Sequence, residues 1–145
     1  MSTPVATVPE RDITTAALRG LRLRCPKCGE GRMFRAFLTV NNYCPVCHEA
    51  LYHHRADDAP PYVVITIVGH IIVGGMLFVE KAYHPELWVH VVLWIPLTIV
   101  MSLAMLPNIK GTLIGIQWAL RMHGFDPNSP EALESPRDAE AARGE

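Results

Sequence analysis

The chain has four cysteines, arranged in two like hooks, Cys25-Pro26-Lys27-Cys28 and Cys44-Pro45-Val46-Cys47. A Cys-x-x-Cys turn brings two thiolates to one ion while the backbone folds around it. Two such turns fifteen residues apart therefore supply the tetrahedral all-sulfur donor set of a zinc site. Four protein ligands leave no coordination position open to substrate, which points to a structural role. Iron fits the same cage. Disulfides would need an oxidising compartment, and a thioredoxin-like dithiol would need a hook opening a helix in a βαβ pattern, which neither hook does. Gly29 follows the first hook, where a knuckle passes through positive φ, and His48 holds that place in the second.

The elements around the hooks must hold them face to face. Residues 20–55 are expected to form a small β zinc ribbon: Met33–Val40 is β-prone and aromatic, and Asn41-Asn42 is placed to turn the chain toward the second hook. A hairpin this small cannot hold without its ion. Arg19, Arg22, Arg24, Lys27, Arg32 and Arg35 stand against one acid, Glu30, and offer a basic surface to lipid headgroups or nucleic acid. His53 and His54 read as polar linker, since the four cysteines already saturate a metal. Residues 1–19, without the basic start and apolar run of a signal peptide, read as a flexible tail, and 124–145 as a disordered one.

Half of all residues are hydrophobic, and they are concentrated in two stretches. Residues 62–80 and 87–106 each hold about 20 residues, almost free of charge, enough to cross a hydrocarbon core of roughly 30 Å. With the loop 81–86 between them they form a transmembrane hairpin, entered through the linker 56–61. Eight Lys and Arg precede the first span, four follow the second, and only Lys81 lies between, so the positive-inside rule puts both termini in the cytoplasm, where thiols stay reduced. Trp88, Trp94, Tyr62 and Tyr83 sit near span ends as interfacial anchors. Pro107-Asn108 is expected to end the second span and cap a separate amphipathic helix, 108–123, lying along the interface. On it Lys110 and Arg121 snorkel, Gln117 lies beside them, and Gly111, Gly115 and Ala119 face another helix.

Polar residues in or near the spans are the remaining places for chemistry. His70 falls near the middle of the first span, while Glu80, His84 and His90 gather at the outer interface, with His90 on the face of Trp94, Met101 and Met105. Histidine, carboxylate and methionine suit copper or haem, yet the same residues also serve as headgroup contacts and packing. Asp57 and Asp58, just before the first span, are placed to pair with Arg55 or Lys110. No nucleophile with its base and no phosphate-cradling loop is present, so no enzyme activity is expected and no small-molecule substrate is indicated.

These motifs, taken in order, resemble a bacterial membrane family catalogued as domain of unknown function 983. The resemblance rests on Cys25-Pro26-Lys27-Cys28-Gly29 through Phe34, the second hook, and Ala56-Asp57-Asp58-Ala59-Pro60. It continues through Glu80, Pro85-Glu86-Leu87-Trp88-Val89-His90, Trp94-Ile95-Pro96, Leu106-Pro107-Asn108-Ile109-Lys110-Gly111 and Gln117-Trp118. It covers roughly residues 20–123, with His48 and Ala59 standing where glycine is more usual. The resemblance implies an inner-membrane protein with a cytoplasmic zinc ribbon and two spans, no established activity, and genomic association of some members with haem–copper oxidase assembly.

The expected molecule is thus a mainly α membrane protein: a two-span transmembrane helical hairpin with a small N-terminal β zinc ribbon and a C-terminal interfacial amphipathic helix. Its expected partners are the lipid bilayer and a membrane protein or a second copy. The leading expectation is a non-enzymatic adaptor or assembly factor for a haem–copper respiratory oxidase. Metal or haem handling through His70, Glu80, His84 and His90 is the alternative, and a membrane-tethered nucleic acid binder is a third.

Overall fold

The computed structural model describes residues 10–56 and 58–143. Its elements are α1 (Ile13–Leu21), α2 (Ala59–Tyr83), α3 (Leu87–Ala119), two 3-10 turns at His123–Phe125 and Pro130–Leu133, and α4 (Pro136–Arg143). The fold class is that of a helical membrane protein with a small N-terminal four-cysteine head. Among the described residues the head holds no full strand, only three isolated antiparallel bridges, Arg24 with Arg32, Phe34 with Val40 and Tyr43 with Ala50.

Two helices are long and apolar enough to cross a membrane, and 17% and 6% of their most apolar windows are buried within the chain. A soluble protein would bury such surface in its core, so the outward Ile65, Leu77, Phe78, Leu93 and Val100 need an apolar solvent. The seam between α2 and α3 is formed by Val64, Val68, Ile72 and Trp94, with Met101, Met105 and Ile109 packed on it. Gly75 lets the Trp94 ring in: a Cβ there would lie 2.8 Å from the ring tip.

The second long helix does not stop at Pro107. It runs 33 residues with Pro96 and Pro107 inside it, about 50 Å at 1.5 Å per residue against a hydrocarbon core of roughly 30 Å. The expected separate interfacial helix is therefore a continuation of α3 that projects out of the apolar zone. Proline costs a helix one hydrogen bond, and that loss is tolerated where neighbours hold both sides in place. Here the projecting part is the pillar of the head, and Asn108 caps nothing but accepts Thr112 Oγ1 at 2.8 Å through its carbonyl. Lys110 does not snorkel at a surface, since it is 7% exposed.

The tail expected at 1–19 is in part a helix. Residues 1–9 lie outside the described residues, but Asp12 caps α1, its carboxylate accepting the N–H groups of Thr14 and Thr15 at 3.2 and 3.0 Å. Helix α1 lies directly on α3. A Cβ added at Gly20 would collide with the carbonyl oxygen of Gly111, one at Gly111 with that of Gly20, and one at Gly115 with that of Ala16. Small residues four apart on both helices allow this backbone contact. The second tail also carries structure: the turn at 123–125 seats Phe125 in the head core, and α4 follows.

The head core gathers Ala16 of α1, Cys25, Met33, Cys44, Leu51 and Ala56 of the loops, and Ile114 and Trp118 of α3. His53 and His54, expected as polar linker, are buried instead, within the buried segment 51–54. His53 is 8% exposed between Tyr52 and Phe125, and His54 is 4% exposed with Nδ1 2.9 Å from the Leu51 carbonyl. The His53 ring lies against Gly124 and Phe125, just past the end of α3, a tertiary demand that local polarity does not reveal.

Candidate metal centre and the polar cluster of the hairpin

Each hook is built the same way. The N–H of Gly29 donates to Cys25 O at 2.8 Å and that of His48 to Cys44 O at 3.0 Å, closing two tight turns at φ +75° and +56°. The mouth of each loop is then tied, Cys25 N–H to Gly31 O at 2.8 Å and Cys44 N–H to Glu49 O at 2.9 Å. Glycine adopts positive φ freely, whereas His48 holds it against a steric cost.

The four sulfurs lie within 4.8 Å of one another, with Cys25 to Cys47 at 3.7 Å and Cys28 to Cys44 at 3.8 Å. Four sulfurs each about 2.3 Å from a central ion would be spaced about 3.8 Å apart, so the donor set fits a tetrahedral metal. These separations are far from the roughly 2.05 Å of a disulfide, and all four cysteines are free. Burial pushes the thiols of Cys25 and Cys47 up. Cys28 is also penalised by burial, but the backbone N–H groups of Gly31 and Glu30 aimed at its sulfur bring it down to about 7. That thiol gives up its proton to a metal more readily than those of Cys25 and Cys47 do. Gly31, which the sequence offers only as one residue of the run from Cys25 to Phe34, is required by the cage, because a Cβ there would collide with Cys44 Sγ.

A second set of residues fastens the cage to the pillar. Glu49, two residues beyond the second hook, accepts Trp118 Nε1–H at 2.8 Å and pairs with Lys27 at 2.7 Å. Burial favours the neutral acid, yet Lys27 and the Trp118 indole N–H together hold the Glu49 carboxyl below its usual range. Arg11 lies over the Trp118 ring at 4.2 Å and donates to the Trp118 carbonyl at 2.6 Å. Arg19 of α1 donates to the carbonyls of Pro26 and Lys27 inside the first hook. Gln117 clamps the backbone of Arg55, accepting its N–H at 3.0 Å and donating to its carbonyl at 3.2 Å. The acid paired with Arg55 is Glu134 at 3.3 Å rather than Asp58, which is exposed at the start of α2 and makes no side-chain cap. Asp57 lies outside the described residues.

At the far end of the hairpin the structure joins Glu80, His84 and His90 but not His70. Trp94 Nε1–H donates to His90 Nδ1 at 2.9 Å, so the imidazole proton is on Nε2, which donates to Glu80 Oε2 at 3.0 Å. His84, in the left-handed region at φ +45°, brings Nδ1 to 3.9 Å from the other Glu80 oxygen. Both nitrogens of His90 are thereby engaged, which makes the set a clamp of α2 on α3 more readily than a metal site. His70 faces away from α3 and donates Nδ1–H to the Thr66 carbonyl at 2.7 Å.

Fold and site together define a class: a helical hairpin of candidate membrane spans that carries a four-thiol metal centre on the extended end of its second helix. Within that class, the chain belongs to the family described as Protein of unknown function (DUF983), which it matches over residues 34–118. The matched part holds both long helices and the second hook, while the first hook and α1 lie before it. No curated protein and no solved structure matches the chain.

Proposed function

We propose that the chain is a non-enzymatic adaptor or assembly factor of the bacterial inner membrane, with zinc in the cage of Cys25, Cys28, Cys44 and Cys47. The observation that carries this reading is the way a closed all-sulfur cage is fastened to the projecting end of α3 by Glu49, Trp118 and Gln117. Zinc held there supplies folding free energy, because no ligand position is left for chemistry. The head is thus a rigid shape presented at a fixed height above the bilayer. The distribution of Lys and Arg supports a cytoplasmic head, with eight before the first span against one in the connecting loop. A haem–copper respiratory oxidase is the client to which the family resemblance directs attention.

The test is purification of the full chain in mild detergent from its native membrane, beside a Cys44→Ser variant. One stoichiometric zinc and a co-migrating membrane protein lost in the variant are expected. A single species without bound protein, or oxidase haem and copper content unchanged on deletion, would overturn the adaptor role and the client respectively.

A further inference from the structure

Four arginines of the head converge on one concave face. Arg22, Arg24, Arg32 and Arg35 surround a hollow of about 610 Å³, whose apolar part includes Phe37 and Pro107 of α3. Among the described residues none of the four has a carboxylate partner. Of the head's other cations, Lys27 and Arg11 meet Glu49 and Arg55 meets Glu134, while Arg19 is turned inward to the carbonyls of Pro26 and Lys27. Arg24 turns one Nη1–H to the Glu30 carbonyl at 2.7 Å, which fixes its direction without neutralising its charge. Like charges gathered without acids raise the local potential and select an anion.

The positions are fixed by backbone. Helix α1 ends in a reversal with Leu23 at φ +59°, its N–H on Gly20 O at 2.8 Å and that of Arg24 on Arg19 O at 2.9 Å, so Arg22 and Arg24 flank a locked turn. Arg32 is bridged to Arg24, and the N–H of Arg35 is held by Thr39 O at 2.9 Å. The hollow also has a fixed height. Helix α3 carries no charged residue before Lys110, so Pro107 in the wall of the hollow, three residues earlier, lies near the level where that helix leaves the apolar zone, and Phe37 stands there 54% exposed.

We propose that this face binds the phosphate of an anionic phospholipid headgroup, an inference that rests on the membrane placement of α2 and α3. Planar guanidinium forks match phosphate oxygens in pairs, while Phe37 beside them meets the upper part of the lipid chains. A nucleic acid strand following the same arginines would run into the bilayer at Pro107. The head is thereby held to its own membrane surface by a lipid, in addition to its attachment to α3.

The experiment uses the full zinc-loaded chain in mild detergent, titrated with phosphatidylglycerol or phosphatidylcholine, with adducts counted by native mass spectrometry. Phosphatidylglycerol is expected to bind preferentially. R24Q/R35Q should weaken it about thirtyfold, the equivalent of about 1 kcal/mol for each arginine removed near a charged surface. R22Q/R32Q should act in the same direction, and R24K/R35K should recover part of the affinity. Zinc content of each variant reports whether the head is folded. Equal binding of the two lipids, or undiminished binding by both folded Gln variants, would overturn the proposal. So would inorganic phosphate competing as well as the lipid, or a single-stranded RNA displacing it. Alkaline extraction of membranes separates the two failures: release of the chain would remove the membrane placement itself, whereas retention with no lipid preference removes only the lipid site.

Discussion

The indole N–H of Trp118 on α3 is bonded to the carboxylate of Glu49, two residues beyond the second cysteine hook, at 2.8 Å. This one bond links metal cage and pillar, because Glu49 also ties its own loop to Lys27 of the first hook. A hydrogen bond to a charged group contributes about 1.5–3 kcal/mol, so Trp118→Phe, which keeps a ring under Arg11, should destabilise the head by about that much. Thermal unfolding of the zinc-loaded chain measures it. The Glu49 carboxyl is held below its usual range in the fold, so its contribution is present above the unfolded pKa and is lost as pH falls through the folded one. The gap in stability between wild type and Glu49→Gln should therefore close on acidification, in the range below the ordinary glutamate value of about 4.5.

Removal of the metal should open the head and leave the hairpin. Structural zinc contributes on the order of 10–16 kcal/mol to small sulfur-held folds, far more than three isolated bridges can replace. A strong chelator should expose the bonds after Arg24 and Arg32 to trypsin while α2 and α3 stay protected by detergent. Gly31→Ala should mimic the loss in part, since its Cβ collides with Cys44 Sγ. Weaker cobalt binding, read from the absorption of the tetrahedral thiolate complex, is the expected outcome. Unchanged affinity would mean that the loop mouth relaxes without cost.

Gly111→Ala probes the other attachment. The added Cβ would collide with the Gly20 carbonyl, and backbone cannot yield as a side-chain tip can. Overpacking of this kind costs typically about 1–3 kcal/mol. Helix α1 should lift from α3, with faster amide exchange over Ile13–Leu21 and little change across the α2–α3 seam.

Legibility in the sequence followed the range of the interactions. The cysteine spacing and the positive-φ places at Gly29 and His48 were readable because chelation by a Cys-x-x-Cys turn is local chemistry. The two apolar runs were readable because the bilayer demands length and composition alone. Helix α1 was hidden in a stretch that looks like a charged tail, and Asp12 before Thr15 and the pair Ala16 and Gly20 become a cap and a packing face only once α3 lies beside them. Pro107-Asn108 carries a strong local stop signal, and packing of α1 and the hooks on the helix beyond it overrides that signal. Burial of His53 against Phe125, and the choice of Glu134 by Arg55, depend on residues more than sixty positions away, where no pattern in a single sequence reaches.

The clamp at the far end of the hairpin makes a definite statement about one proton. Trp94 can only donate, so His90 Nδ1 must accept, and the neutral imidazole carries its hydrogen on Nε2 toward Glu80. Nitrogen NMR of the chain labelled at histidine should show His90 in that single tautomer. In Trp94→Phe the constraint is removed, and exchange between tautomers is expected while His70, held by the Thr66 carbonyl through Nδ1–H, keeps the opposite one. Glu80→Gln should loosen the contact of α2 with α3 near the loop but leave the seam at Val64 and Val68 intact. If His90 bound a metal through Nε2, the same spectrum would show a shifted, deprotonated Nε2 in wild type that returns to the protonated form on chelation, an outcome incompatible with the bond from Trp94.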